Sequence, residues 1–166
     1  MELEQYVENY ADYLFHIAYM YTKDRFTAEE IVQDVFVRFH MRQQFEGRSS
    51  AKTYLTRMTI NRCYDYLRKE KLKRFVTFEY FQTKLRSTDE QLIRDYEQDE
   101  IITAVLTLPL KYREVIFLYY YDDLPVADIA ATLHMPASTI RTRLQRAREK
   151  LKGILSESEW EVLKHE

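Results

Sequence analysis

The chain has 166 residues, of which 46% are apolar and 31% charged, and its formal net charge is −2. It contains only 2 glycines and 3 prolines, so it supplies few of the residues that make turns. These values exclude a β-sandwich, a glycine-rich nucleotide-binding fold and a disordered chain, and they predict an all-α protein. The single cysteine, Cys63, excludes an internal disulfide and a zinc site built from several cysteines. It lies on an apolar stripe, which favours a core thiol over a redox sensor.

Apolar residues at three- and four-residue steps predict the helices of the N-terminal half. The first helix is expected over residues 6–21 and the second over residues 28–40, with a capping box between Thr27 and Glu30 at its start. Residues 46–50 contain one of the two glycines and interrupt the periodicity, which predicts a loop. A third helix is expected from Ala51 to about Arg74.

The second half of the chain begins with a segment of unclear pattern. Residues 75–78 could form a short strand, but the polar stretch that follows has no period, so we interpret residues 75–95 as a linker. A helix stopped by Pro109 and another over residues 112–121 come next. The sequence thus predicts two small helical domains, over residues 1–74 and 96–166, joined by the linker.

Residues 126–152 have the layout of a helix-turn-helix. A short helix up to Leu133 is followed by the tight turn His134-Met135-Pro136 and by a long helix from Ala137 to Leu155. Ser138 and Thr139, at the start of the long helix, are placed to hold a backbone phosphate. The outer face of this helix carries side chains that donate to base edges and phosphates, namely Arg141, Thr142, Gln145, Arg146 and Arg148. The alternative is an ordinary helical hairpin with a basic surface.

Charge is concentrated in two basic blocks within an acidic background. Residues 52–74 contain 8 basic and 2 acidic residues, and residues 137–153 contain 6 and 1. Two such blocks are what two separate contacts with a polyanion would require. Two solvated helix faces are the alternative explanation.

Several segments together resemble the extracytoplasmic-function (ECF) family of RNA polymerase sigma factors. Residues 108–115, 128–130 and 138–151 are similar to the family's C-terminal domain, residues 28–36 to its polymerase-docking helix, and residues 45–68 to its promoter-melting segment. These segments follow the family's order and cover nearly the whole chain.

The chain departs from the family pattern at four positions, one of which, Asp128 in place of the usual Glu, is a mild change. Tyr54 stands where the family usually has Trp, His134 where it has Gly, and Pro136 where it has a Ser cap. Histidine tolerates left-handed backbone better than most residues, and proline suits a first helical turn, so we expect the turn to survive.

The resemblance implies three sets of functional residues. Docking on the clamp of the largest polymerase subunit would involve Ile31, Val32, Gln33 and Asp34. Contacts with the minus-ten element, including capture of a flipped base by the loop before the third helix, would involve Arg48, Ser49, Ser50, Arg57, Asn61, Arg68 and Lys69. Contacts with the minus-thirty-five element would involve Ser138, Thr139, Arg141, Thr142, Gln145 and Arg146.

The expected function is that of a sigma factor that binds core RNA polymerase, recognises promoter DNA and promotes strand opening. An anti-sigma factor, commonly a membrane-anchored one, is a further expected partner. The chain itself lacks a signal-peptide pattern and an apolar stretch of the about 20 residues that span a bilayer, so we expect a cytoplasmic protein that is a monomer when free. No nucleophile–base pair, phosphate loop or histidine–cysteine cluster stands out, so neither enzymatic activity, cofactor nor metal is expected.

Two alternative functions remain open from the sequence. A stand-alone helix-turn-helix regulator would bind duplex DNA without polymerase and would usually dimerise. A decoy that resembles an anti-sigma factor would bind polymerase without opening promoters. The basic promoter-melting segment favours the sigma factor, because a repressor has no use for such a segment.

Overall fold

A computed structural model describes residues 2–42, 47, 49–74 and 99–165. This described part contains eight helices and no strand, which confirms the all-α prediction. The predicted linker, the strand considered for residues 75–78, and Arg48 lie outside the described residues. The helices are α1 Leu3–Thr22, α2 Arg25–Met41, α3 Ala51–Arg74, α4 Glu100–Thr107, α5 Leu110–Tyr120, α6 Val126–Leu133, α7 Ala137–Ile154 and α8 Glu157–His165.

The chain divides into two compact units, residues 1–93 and residues 94–166. In the first unit α1, α2 and α3 pack against one another in all three pairs. Cys63 is fully buried in their shared core, as its place on an apolar stripe predicted. Burial raises the pKa of this thiol to about 12, despite the opposing charge of Arg62. The core of the unit also contains Leu14, Ile17, Ala28, Val35, Leu55 and Ile60.

Helix α2 begins three residues before the predicted start. Asp24 is its N-cap: one carboxylate oxygen accepts from the Phe26 N–H at 3.2 Å, and the other accepts from the Thr27 hydroxyl at 2.7 Å. The predicted capping box of Thr27 and Glu30 is therefore wrong, because Thr27 lies inside the first turn. Aspartate is at least as good an N-cap as threonine, and the earlier start brings the buried side chain of Thr27 into the helix.

In the second unit α5 and α6 both pack against α7. Helix α4 ends at Thr107, before Pro109, as predicted from the proline. The inner stripe of α7 is buried at Ile140, Leu144, Ala147 and Leu151, which confirms the predicted core face of the long helix. The other buried residues of this core include Val105, Val115, Ile116, Leu118 and Ile129.

The turn of the helix-turn-helix forms without glycine. His134 adopts the left-handed conformation, with φ 54° and ψ 47°, and its N–H donates to the carbonyl of Ala130. Pro136 is the N-cap of α7 and makes no capping hydrogen bond through its side chain. Two departures from the family pattern are thus compatible with an intact turn.

Helix α8 was not predicted. Ser156 and Glu159 cap its start reciprocally: Glu159 accepts from the Ser156 N–H at 2.9 Å, and the Ser156 hydroxyl accepts from the Glu159 N–H at 3.4 Å. This serine followed three residues later by glutamate is a known sequence signal for a helix start, and it could have predicted α8. Within the described ranges, none of the helices combines the length and apolarity needed to cross a membrane.

Candidate nucleic-acid interface

Helix α3 carries a row of exposed donors on one side. Arg57, Asn61 and Arg68 are separated by four and seven residues, so they project from the same face of the helix. All three are exposed, whereas Leu55, Thr59 and Cys63 on the far side are buried. Lys69 is also exposed, about a quarter-turn away from this row. The structure thus brings three of the four α3 donors that the sequence assigned to the minus-ten element onto one face, with Lys69 beside them.

The residues before α3 have a structural role as well. The Ser50 hydroxyl accepts from the Thr53 N–H at 3.1 Å and lies 2.8 Å from the Thr53 hydroxyl, so it caps the start of α3. Gly47 has φ 69°, a left-handed conformation that glycine adopts without steric cost. Gly47 and Ser50 are exposed, whereas Ser49 is half-buried.

The four residues assigned to polymerase docking do not share one surface. Ile31 and Val32 are buried in the core of the first unit, with 4% and 7% of their surface exposed, whereas Gln33 is exposed and Asp34 half-buried. Successive residues of a helix point about 100° apart, so four in a row cannot all face a partner. Gln33 and Asp34 are the accessible members of the set.

Asp34 links α2 to α3 through arginine side chains. Its carboxylate accepts a hydrogen bond from Arg62 of α3, and Arg38, one turn later on α2, lies 3.0 Å from the same oxygen. Burial alone would raise the pKa of this carboxyl, but the two arginines outweigh burial and hold the pKa below its ordinary value. The predicted docking residue therefore also holds the helix of the predicted minus-ten residues.

An exposed apolar stripe on α2 was missed by the sequence reasoning. Phe26, Val37 and Met41 are 70%, 55% and 75% exposed. Together with Gln33 they follow steps of seven, four and four residues, so they lie along one side of the helix. Their signal in the sequence was an apolar periodicity out of phase with the core residues Ile31 and Val35. We call Phe26, Gln33, Asp34, Val37 and Met41 the α2 surface.

Helix α7 presents the predicted donors opposite its core stripe. Thr139 is half-buried, and the Thr142 hydroxyl donates to the carbonyl of Ser138 at 3.0 Å. The exposed members of the predicted set are Ser138, Arg141, Thr142, Gln145 and Arg146.

Two further arginines of α7 contact α5 instead. Arg148 donates to the Tyr120 hydroxyl at 2.7 Å, and its guanidinium lies 5.4 Å from the ring centroid of Tyr119. Placing Arg148 on the outer face was therefore wrong. Arg143 forms an ion pair with Glu114 at 3.6 Å. Contacts with α5 thus give Arg143 and Arg148 structural roles, while Arg141 and Arg146 remain exposed.

Comparison with known proteins identifies the family. The model of sigma-70 region 2 matches residues 6–73, and that of sigma-70 region 4 matches residues 98–151. The chain is 29% identical over 161 residues to the ECF RNA polymerase sigma factor SigW of Bacillus subtilis, covering 90% of this chain and 86% of that protein. It belongs to the ECF sigma factor family. This ECF sigma factor is also 24% identical to SigM of Bacillus subtilis, over 93% of this chain and 95% of that protein.

Solved structures of similar fold include two complexes. The sigma factor RpoE, in complex with the anti-sigma factor NepR from Bartonella quintana, matches with a TM-score of 0.68 at 20% identity, over 91% of this chain and 94% of that chain. CnrH, in complex with the cytosolic domain of CnrY, matches with a TM-score of 0.63 at 23% identity, over 91% and 85%. As an ECF sigma factor the protein binds RNA polymerase and recognises promoters.

Proposed function

We propose that this sigma factor directs polymerase to promoters through a division of labour between its two units. The first unit docks on core polymerase and opens the minus-ten element, and the second reads the minus-thirty-five element. The observation that carries this proposal is common to α3 and α7: each helix buries one face and presents a row of exposed donors on the other.

The α2 surface is the proposed docking site on polymerase. An exposed helix stripe that combines apolar and polar side chains is typical of a protein interface. Gln33 and Asp34 supply the polar contacts, and Phe26, Val37 and Met41 supply apolar area. Ile31 and Val32 contribute indirectly, because their buried side chains anchor α2 in the core of the first unit.

The exposed row of α3 is the proposed minus-ten contact. Asparagine can hydrogen-bond a base edge, so Asn61 is assigned to a base, while Arg57, Arg68 and Lys69 are assigned to the backbone. The preceding segment, with Arg48, Ser49 and Ser50, would receive a base flipped out of the non-template strand. Capture of that base stabilises the separated strands, because it compensates for lost stacking.

The exposed face of α7 is the proposed minus-thirty-five contact. A helix of this kind enters the major groove with its N-terminal residues against the base edges. Arg141 and Gln145 have side chains that make bidentate contacts with guanine and adenine. Ser138, Thr139, Thr142 and Arg146 complete the assigned set.

The remaining assignments follow from this role. Catalysis belongs to polymerase, so the sigma factor is proposed to be no enzyme itself and to act as a monomer in the cytoplasm, where polymerase and DNA are found. We also propose an anti-sigma factor as a partner, membrane-anchored as is common in the family, which would cover the α2 surface and the donor rows. In the RpoE structure, which has a similar fold, the sigma factor is bound to an anti-sigma factor.

The first experiment asks whether the chain and core polymerase co-elute in size-exclusion chromatography. Co-elution is expected for the wild type and should be lost in Val37→Asp, which places a charge in the middle of the α2 surface. Val7→Asp is the matched control, because Val7 is an exposed valine on α1. Separate elution of the wild type, with tight binding to duplex DNA, would instead favour the stand-alone regulator.

A second experiment tests strand opening by the assembled holoenzyme. A fluorescent base analogue in the minus-ten element should brighten on opening, and Asn61→Ala should reduce that signal more than it reduces co-elution. Polymerase binding by the wild type without any opening would favour the decoy.

A further inference from the structure

A pocket of about 330 Å³ lies between the first turn of α5 and the N-terminal half of α7. Lys111 and Tyr112 line it from α5, and Ser138, Thr139 and Arg146 line it from α7. Among the described residues, its lining includes hydroxyl groups and cations but no acidic side chain. The pocket is therefore suited to an anion with several oxygen atoms.

Several cations lie close to Tyr112 at this pocket. Its ring is largely buried, and Lys111 and Lys150 place their ammonium groups 5.0 and 5.7 Å from the ring centroid. The positive charges of Lys111 and Arg146 both act on its hydroxyl group. Burial alone would raise the pKa of Tyr112, but these two cations outweigh burial and hold the pKa below its ordinary value. Arg146 of α7 and Lys111 of α5 therefore lie beside the same tyrosine.

The cations that line the pocket differ in whether a carboxylate already pairs with them. Arg143 also lines the pocket, but its guanidinium pairs with the buried Glu114 carboxylate of α5. Lys111 and Arg146 are exposed and pair with no carboxylate among the ion pairs of the described residues. Two cations and the hydroxyls of Ser138 and Thr139 in the lining of one pocket match a singly charged phosphodiester.

We infer that this pocket binds one backbone phosphate of promoter DNA, held between Lys111 of α5 and Arg146 of α7. The inference rests on the proposed minus-thirty-five role of α7 and deepens it in two ways. It adds Lys111 and Tyr112, which lie outside the helix-turn-helix, to the DNA interface. It also moves Arg146 from base recognition to the backbone, which leaves base reading to Arg141 and Gln145.

The test uses the holoenzyme assembled from core polymerase and the full chain, with a labelled promoter duplex. Affinity for DNA falls as salt rises, and the loss of one phosphate contact makes the slope of log affinity against log salt shallower by about 0.9. The ratio of wild-type affinity to Lys111→Ala affinity should therefore decrease about 3.5-fold between 50 and 200 mM salt. Arg146→Ala should behave alike, and Tyr112→Phe, which keeps the ring, should lose affinity by a smaller factor. Lys152→Ala is the control for charge, because Lys152 is exposed on α7 and does not line the pocket.

A second arm identifies the phosphate itself. Duplexes are made in which one phosphate at a time, around the minus-thirty-five element, is replaced by a neutral methylphosphonate. We expect one position at which the wild type loses affinity and at which Lys111→Ala and Arg146→Ala each lose less than the wild type does. Lys152→Ala should still lose affinity there, as the wild type does.

Each contrary outcome has a distinct meaning. If Arg146→Ala relaxes the preference at one base pair, Arg146 reads a base and the inference is overturned. If inorganic phosphate competes with the duplex but no methylphosphonate position is coupled to Lys111, the pocket takes free phosphate and the inference again fails. Wild-type holoenzyme that does not respond to the minus-thirty-five sequence at all would overturn the proposed function as well.

Discussion

The guanidinium of Arg143 lies 3.6 Å from the carboxylate of Glu114, which joins α7 to α5 through a side chain that is 1% exposed. In the sequence Arg143 is one of the 6 basic residues in the block that predicted DNA contacts. In the structure it holds the helix that carries those contacts. A basic block thus contains both residues available to DNA and residues that position them.

Replacing Arg143 by Met should destabilise the protein, because it removes this cation from a buried carboxylate. We expect the free energy of unfolding to fall by about 3 kcal/mol, the lower end for breaking a buried pair, since Arg143 itself is partly exposed. Urea denaturation measures the loss. Arg141→Met, on the exposed face of the same helix, should change stability by less than about 0.5 kcal/mol. Equal effects of the two changes would mean that the ion pair does not hold α7 in place.

Arg141→Ala should weaken promoter recognition while leaving polymerase binding intact. The expected loss is about 1–3 kcal/mol in the affinity of the holoenzyme for its minus-thirty-five element, the usual value of a bidentate base contact. Competition between duplexes that differ only in that element measures it, and co-elution with polymerase is the control. Equal loss of both activities would contradict the division of labour.

Asp34→Arg should do the reverse, weakening co-elution with polymerase before it affects minus-thirty-five recognition. The substitution places a third cation beside Arg38 and Arg62, so it also removes an inter-helix contact of the first unit. Gln33→Arg separates the two effects, because Gln33 is exposed on the same α2 surface without that contact to α3. If Asp34→Arg alone blocks co-elution, the docking assignment of Gln33 is wrong.

The ion pairs of Asp34 should make stability depend on acid pH. The arginines lower the pKa of this carboxyl in the folded state, so its contribution is complete above the unfolded pKa of about 4 and is lost as pH falls through the folded pKa. The stability difference between wild type and Asp34→Asn should therefore be constant from neutral pH down to about pH 5 and shrink below about pH 4. Its size should stay below about 1 kcal/mol, because the carboxylate is a third exposed.

Urea denaturation of both proteins at a series of pH values checks this expectation. When both proteins also carry Arg62→Met, the difference in unfolding free energy between Asp34 and Asp34→Asn should change less with pH, because one of the two cations is gone. A difference that persists unchanged to pH 3 would show that the arginines do not act through the charge of Asp34.

Cys63 should resist thiol reagents in the native protein. Its burial and a pKa of about 12 reduce the thiolate at pH 8 on the order of a thousandfold relative to a free cysteine. Labelling with a disulfide reagent should therefore be fast in denaturing urea and very slow without it. The chain has one cysteine, so the signal has a single source. Fast labelling of the folded protein would contradict the core assignment.

The helices of both units were predictable because apolar residues at helical steps must be buried together. The end of α4 before Pro109 and the left-handed turn at His134 follow from local rules that act within a few residues. Helix α8 and the N-cap Asp24 carried equally local signals, and they were overlooked. Fold class and helix order are therefore properties of the sequence itself.

What only the tertiary structure decided is which polar side chains remain available to a partner. Asp34 is shared with Arg62, Arg143 is paired with Glu114, and Arg148 is held by Tyr120, all through residues 28 or 29 positions away. Helical periodicity gives the direction of a side chain but not the identity of the neighbour it meets. That neighbour is set by the packing of one helix against another, which is why a pocket between α5 and α7 could not be found from α7 alone.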